Sequence, residues 1–246
     1  MSSRLFNIGN THVLTAELDD NGTLSNFQTV ETSGFMPEAF LTESMGVVSV
    51  VPFWEDYFRD KGAFILDWKS CAPVLSLAKM KTPETVGADR IANAISLIST
   101  GKIPALCIDC GTAITFEYVD SDRVLCGGAI LPGRRLLRQA LHDYTAKLPL
   151  VPFSREPLPI PGNNTVEAIQ IGTDIGVIGA VREILEQFRN KVPELRVIFC
   201  GGDSPWFLPY FPEAEAFGSD FTLKGLALAF QCRNNNDRFS YSQLSV

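Results

Sequence analysis

The chain has 246 residues, of which 46% are hydrophobic, and a net charge of −7 at pH 7. This composition can fill one large apolar core or two small ones. No dense cluster of Lys and Arg occurs, and because nucleic-acid binding requires a positive surface that displaces counterions, a nucleic-acid partner is not expected. The segment Met1 to Arg4 leads into a predicted strand without a long apolar stretch, so we expect no secretory signal, no membrane span and a cytoplasmic location.

The first predicted element is a strand that ends in a glycine turn, Leu5 to Thr11, and a second β-rich run follows from Val13 to Leu18. The buried run Gly46 to Val51 ends at Pro52, which is typical of a core strand. The stretches on either side of it, Phe35 to Phe40 and Trp54 to Phe58, look helical or loop-like.

A helix is predicted at the end of the first half. The apolar residues between Asp89 and Ile98 fall on one helical face, and Gly101 and Pro104 end the helix. The second half of the chain begins directly after this helix.

The strand and its glycine turn occur a second time, about a hundred residues after the first copy. Cys107 to Ala113 again has apolar residues, a short polar side chain, a spacer and a glycine, and Ile114 to Val119 is the following β-rich run. The polar side chain is Asn7 in the first copy and Asp109 in the second. Glycine lets backbone N–H groups approach an anion closely, because no Cβ stands in the way. Two such turns facing each other across a cleft would bind a polyphosphate from both sides.

The later elements are a glycine-rich turn at Gly127-Gly128, helices after Gly133 and across Thr165 to Phe188, and a short strand that leads into Gly201-Gly202. The polar segment Asn234 to Arg238 and the residues after it are expected to fray. The alternation of strands and helices predicts an internally duplicated α/β protein, with domains at 1–101 and 102–246 and a cleft between them. Ligands in such sheets gather at the carboxyl ends of strands, where both turns lie.

The cysteines are expected to be reduced and mostly buried, because a chain of this size does not need disulfides. Cys107 and Cys110 form a CxxC motif, which can indicate redox or metal chemistry. No second CxxC occurs, and only His12 and His142 could complete a zinc site. A structural role for these cysteines is therefore favoured.

Six segments together carry a family resemblance. They are the two glycine turns, Gly87 to Arg90, Thr145 to Pro149, Asn164-Thr165 and Cys200 to Asp203. In this order they resemble type III pantothenate kinases, which belong to the acetate and sugar kinase, Hsp70 and actin superfamily. The resemblance extends from about residue 5 to residue 233. It implies two ribonuclease-H-like (actin-like ATPase) domains with an interdomain cleft, and a homodimer that shares its active sites.

The implied activity is transfer of the ATP γ-phosphate to the primary hydroxyl of pantothenate, the first step of coenzyme A synthesis. The implied cofactors are Mg²⁺ and a monovalent cation, K⁺ or NH₄⁺. Phosphoryl transfer depends mainly on positioning and on charge stabilisation. The expected ATP-binding residues are Asn7, Gly9, Asn10 and Thr11 in the first turn, Gly111, Thr112 and Thr115 in the second, and Gly201 and Gly202 beside the nucleoside. For any one of these glycines, an ordinary tight turn is the alternative.

Asp89 is the expected general base, because it matches the aspartate of the family's GxDR motif. From local sequence alone it could instead cap the helix that follows. In the family, the residues that match Gly87, Arg90 and Thr165 belong to the acceptor site, with Thr165 reaching in from the partner subunit. An arginine fork suits the carboxylate of pantothenate. Thr165 could alternatively begin its helix, with Asn164 or Thr165 itself as N-cap.

Asp109 is expected to bind a metal or monovalent cation near the phosphates, since a carboxylate at the end of an apolar strand is costly to bury alone. Two positions depart from the family pattern. Asn7 replaces an aspartate, and a neutral amide binds Mg²⁺ more weakly than a carboxylate. Met80 stands where many members have tyrosine. The chain could therefore be a slow kinase, a weakly active or inactive relative with a regulatory role, or a kinase for another acceptor.

Overall fold

Two five-stranded mixed sheets with the same strand order form the scaffold of the protein. The computed structural model describes residues 2–233, so the segment Asn234 to Arg238, predicted to fray, lies outside the described residues. In each sheet three antiparallel strands are followed by two parallel ones, in the orders β3-β2-β1-β4-β5 and β8-β7-β6-β9-β10. The strands are β1 (Ser3–Ile8), β2 (His12–Leu18), β3 (Leu24–Glu31), β4 (Met45–Ser49), β5 (Phe64–Ile65), β6 (Ala105–Cys110), β7 (Ala113–Val119), β8 (Leu125–Pro132), β9 (Arg196–Cys200) and β10 (Glu215–Ala216).

Two helices, α2 and α6, lie between the sheets and share one core with both of them. Leu5 and Val48 of the first sheet and Cys107 and Ile198 of the second belong to this core. A helix with a sheet on each side is buried nearly all round, which explains the continuous buried run in α2. The helices are α1 (Pro52–Asp60), α2 (Ala88–Ser99), α3 (Arg134–Asp143), α4 (Thr165–Arg189), α5 (Ser204–Phe207) and α6 (Phe221–Cys232).

The outer faces of the two sheets have separate cores. Phe6 and Ile8 alternate with Leu5 along β1 and pack with Phe58 of α1 on the outer face of the first sheet. Ile108 of β6 packs with Val181 of α4 on the outer face of the second. Each sheet is therefore covered on both faces, and its glycine turn lies at the carboxyl end of an inner strand, β1 or β6.

Several sequence-based element predictions are confirmed, and one is wrong. The helices predicted after Gly133 and from Thr165 occur as α3 and α4. The turn predicted at Gly127-Gly128 is instead part of β8. Gly127 has φ of +114° beside a register shift in the β7–β8 pair, so these glycines form a bulge rather than a chain reversal. A Cβ on Gly128 would lie 1.5 Å from the Phe116 carbonyl oxygen, which explains why glycine occurs within this strand.

The helix α2 packs against strands of both sheets, so the boundary between 101 and 102 stays a prediction. Within residues 2–233, no helix has the length and apolar character required to cross a bilayer.

Candidate active site

The two glycine turns meet at the mouth of a cleft between the sheets. Each is a tight hairpin, with Gly9 N–H donating to the His12 carbonyl at 2.9 Å and Gly111 N–H donating to the Ala113 carbonyl at 3.0 Å. The hydroxyl oxygens of Thr11 and Thr112 are 3.1 Å apart. The cavity beside them has a volume of about 450 Å³, which is within the range of small-molecule sites.

Most of the predicted site residues line this cleft. Of the residues that the structure describes, Gly87, Arg90 and Thr165 are predicted site residues that do not line it. Those that do are Asn7, Gly9, Asn10, Thr11, Asp89, Asp109, Gly111, Thr112, Thr115, Gly201 and Gly202. The two glycine turns, Gly201 and Gly202, and both aspartates therefore share one cavity.

Asp89 lies in the first turn of α2 and faces this cavity. One carboxylate oxygen accepts the Arg90 backbone N–H at 2.8 Å. Burial raises the pKa of Asp89, and this hydrogen bond lowers it in part. A Cβ on Gly87 would lie 2.6 Å from the same carboxylate oxygen, so glycine at position 87 leaves room for the Asp89 side chain. The N-cap of α2 is Gly87, which has no side chain, and no side-chain hydrogen bond caps this helix. The Asp89 carboxylate instead bonds the N–H of the next residue and lines the cleft, as a base requires.

Asp109 is held by a buried polar chain that crosses the central helices. Its Oδ2 accepts the Asn93 amide at 2.9 Å, and Asn93 Oδ1 accepts the Thr222 hydroxyl at 2.9 Å. Burial raises the pKa of Asp109 to about 6, with a further contribution from the negative charge of Asp89. Sequence reasoning missed Asn93. The available signal was a lone amide on the buried face of a helix, one turn after Asp89.

Arg90 points away from the cleft lining and toward the second sheet. Its Nε donates to Glu117 Oε1 at 2.8 Å, and its Nη2 donates to the Phe116 carbonyl at 3.3 Å. Glu117 is fully buried, and burial raises its pKa to about 8 although Arg90 opposes the shift. An arginine has five N–H donors, so these two bonds leave others for an acceptor carboxylate.

Thr165 lies at a different surface, an apolar groove of about 860 Å³ between α3, α4 and β8. Asn164 is the N-cap of α4, because its side chain accepts the Glu167 backbone N–H at 3.0 Å. The side chain of Met80 packs against the central core.

The cysteines are free, as expected, and most are buried. Cys126 differs, since it is half-buried and contacts Lys79 and Asp120. Within residues 2–233, no group of three or more His, Cys, Asp or Glu side chains could hold a metal ion by itself.

The glycine turn predicted to face the nucleoside lies where β9 ends. Gly201 has φ of +86°, and a Cβ there would lie 2.3 Å from Asp109 Oδ1. The Asp203 backbone N–H donates to the Cys110 carbonyl at 2.8 Å, which ties this turn to the end of β6. Sequence reasoning did not assign Arg135, Phe153 or Asp203 to the site, although all three line the cleft.

The donor atoms of the cleft suit a divalent cation that is held mainly by substrate phosphates. Mg²⁺ commonly binds one or two carboxylates together with phosphate oxygens and waters. Asp109 provides a buried carboxylate whose ionised form needs a positive partner, while Asn7 provides only a neutral amide oxygen. The residues present therefore fit a cation at Asp109.

A family model for type III pantothenate kinase matches residues 5–187, which include both turns, Asp89 and Thr165. The chain belongs to the type III pantothenate kinase family. Curated family members include one from Rhodospirillum rubrum, 36% identical over 64% of this chain, and one from Rubrobacter xylanophilus, 35% identical over 76% of this chain. The matched parts cover 61% and 75% of those two relatives. A third member, from Paramagnetospirillum magneticum, is 40% identical over 58% of this chain and 55% of its own length.

Solved structures with the same fold confirm the predicted fold class. A putative Baf family transcriptional activator from Campylobacter jejuni aligns with a TM-score of 0.64 and 21% identity, over 94% of this chain and 99% of its own. Component A of the (R)-2-hydroxyglutaryl-CoA dehydratase of Acidaminococcus fermentans aligns with a TM-score of 0.57 and 12% identity, over 95% and 99%. At these identities the likeness concerns the fold alone. The pantothenate kinase family model ends before Gly201. The roles of all the predicted site residues, Gly201 and Gly202 included, stay predictions.

Proposed function

We propose that this chain transfers the γ-phosphoryl group of ATP to the primary hydroxyl of pantothenate, the first step of coenzyme A synthesis, in the cytoplasm. The observation that carries the proposal is the convergence of two glycine turns with Asp89 and Asp109 in one cleft, in a member of this family. Backbone N–H groups and the threonine hydroxyls of the turns would bind the phosphates. Gly201 and Gly202 would leave room for the nucleoside.

Asp89 would act as the general base. The pantothenate hydroxyl gives its proton to the Asp89 carboxylate while its oxygen bonds to the γ-phosphorus, and the bond from that phosphorus to the ADP oxygen breaks. The raised pKa of Asp89 strengthens it as a proton acceptor. Asp109 would hold Mg²⁺ or the monovalent cation, K⁺ or NH₄⁺, which when bound neutralises developing phosphate charge.

The acceptor would bind beside Gly87 and Arg90, with its carboxylate on guanidinium N–H groups that Glu117 and Phe116 do not use. A homodimer belongs to this proposal, with Thr165 of one subunit completing the acceptor site of the other. The apolar groove that contains Thr165 supports it, since such a groove would be covered in a dimer. Sedimentation velocity at micromolar concentration tests this part, and a monomer would contradict it.

The second candidate is a weakly active or inactive relative that binds nucleotide or pantothenate and regulates a partner. Asn7 favours it, because Asn7 lines the cleft where the family resemblance places an aspartate. A third candidate, a kinase for another acceptor, is favoured by Met80 in place of the family tyrosine.

One experiment separates the three candidates. ADP release is measured with Mg²⁺ and NH₄⁺ or K⁺, with and without pantothenate, for the wild-type chain and Asn7→Asp. Pantothenate-dependent release by the wild type supports the proposal. Release only by Asn7→Asp supports the regulatory relative, and release only with a different small alcohol supports the third candidate.

A further inference from the structure

An aromatic side chain, Phe153, is exposed and lines the cleft. It is 45% exposed and lines the cavity together with Gly201, Gly202 and Asp203. Apolar surface that faces water loses hydrophobic stabilisation unless a ligand covers it. This apolar surface therefore shares one cavity with the glycine turn that follows β9.

A buried charged cluster fixes the segment that carries Phe153. The cluster consists of Arg134, Arg138 and Asp174, each almost fully buried. Asp174 Oδ1 accepts Arg134 Nε at 3.1 Å and Arg138 Nη2 at 2.8 Å. Ser154, the residue after Phe153, donates its hydroxyl to Asp174, and its carbonyl accepts Arg134 Nη2 at 2.9 Å. Both the main chain and the side chain at position 154 are thus attached to the cluster.

The same cluster connects Phe153 to the helix after the nucleoside turn. The guanidinium carbon of Arg134 lies 3.7 Å from the centroid of the Trp206 ring and 4.8 Å from that of Phe153. Arg138 lies 5.2 Å from the Phe153 centroid. Trp206 belongs to α5, which directly follows Gly201-Gly202-Asp203. Two cations on the aromatic ring hold it in place, while its remaining surface stays open to the cleft.

We propose that Phe153 is the nucleobase contact of this chain, with the base of the bound nucleotide stacked on the open surface of its ring. This inference rests on the proposed function, because it requires the nucleotide phosphates to lie between the two turns. Every base has a π face, so aromatic stacking binds bases with little dependence on their identity. We therefore expect ADP and GDP to depend on Phe153 to a similar extent.

The test compares a nucleotide with a phosphate chain that has no base. Calorimetry measures the binding of ADP and of inorganic tripolyphosphate, both with Mg²⁺, to the wild type, Phe153→Ala and Phe153→Tyr. Stacking contributions of the usual size predict roughly ten-fold weaker ADP binding by Phe153→Ala. Tripolyphosphate binding should stay within about two-fold of wild type, since it makes no base contact. Phe153→Tyr keeps the ring and should bind ADP like the wild type.

The matched control is Phe53→Ala, which removes an aromatic ring that is 67% exposed on α1 and should leave both affinities unchanged. Unchanged ADP binding by Phe153→Ala would overturn the inference. An equal loss of ADP and tripolyphosphate binding would also overturn it, because it would indicate that the whole cleft is displaced. A wild type that binds no ADP would overturn it as well. The proposed function can fail separately from this inference. If ADP binding depends on Phe153 but pantothenate does not stimulate ADP release, only the pantothenate kinase activity is contradicted.

Discussion

Replacing Gly225 with alanine would force apart the two helices that lie between the sheets. Gly225 is in α6, and a Cβ there would lie 1.9 Å from the Ala92 carbonyl oxygen of α2 and 2.8 Å from Ser96 Oγ. Ordinary contact begins near 3.4 Å, so the helices must separate by about 1.5 Å. Ala92 is about one turn after Asp89, so the same movement displaces the proposed base from the two glycine turns.

The expected loss of stability follows from two opposing contributions. Overpacking a core costs about 1–3 kcal/mol, and we expect a value near the upper limit because the clash is with backbone atoms. The higher helix propensity of alanine offsets about 1 kcal/mol. The unfolding free energy of Gly225→Ala should therefore fall by about 2 kcal/mol, which lowers the Tm of a chain of this size by about 4–8 °C.

Urea and thermal unfolding of Gly225→Ala measure this change, and ADP release measures the accompanying loss of kcat. The matched control is Gly179→Ala in α4, where a Cβ would have no atom within 4 Å. That variant should be more stable than wild type by up to about 1 kcal/mol. Gly225→Ala with wild-type stability would refute the close crossing of α2 and α6.

Two further variants test the carboxylates around the site. Asp89→Asn keeps the shape of the side chain, and we expect kcat to fall by about 10²–10⁴ with Tm nearly unchanged; turnover within a few-fold of wild type would remove Asp89 from the role of base. Burial raises the folded-state pKa of Glu117 from 4.5 to about 8. The contribution of Glu117 to the free energy of unfolding is therefore fully present below pH 4.5 and is lost as the pH rises toward 8. The free energy of unfolding falls by at most about 1.4 kcal/mol per pH unit. Glu117→Gln should remove this decline, as urea unfolding at pH 5 and pH 8 would measure. A wild type and a variant with parallel pH profiles would contradict it.

The parts of the fold that were predictable from sequence depend on local patterns. Helices α2, α3 and α4 follow from apolar periodicity and from Gly, Pro and Asn at their ends. The glycine turns followed from their repeated residue order. The bulge at Gly127-Gly128 was misinterpreted, because glycine favours a turn locally and only the neighbouring strand, with the Phe116 carbonyl 1.5 Å from a hypothetical Cβ, shows why glycine is needed.

The candidate site also has features that the sequence determined and features that only the structure determined. The sequence by itself determined the two glycine turns and the polar side chains at positions 7 and 109 that precede them, since each turn is a short segment of adjacent residues. The predicted role of Asp89 as a base came from the family resemblance, because local sequence left a helix cap as the alternative. Only the tertiary structure decided that Arg90 pairs with Glu117, that Asn93 bonds Asp109, and that Phe153 and Gly202 line one cavity. The residues of these pairs are 16 to 49 positions apart along the chain. The packing of two sheets and a buried ion cluster brings them together, and no local sequence pattern encodes that packing.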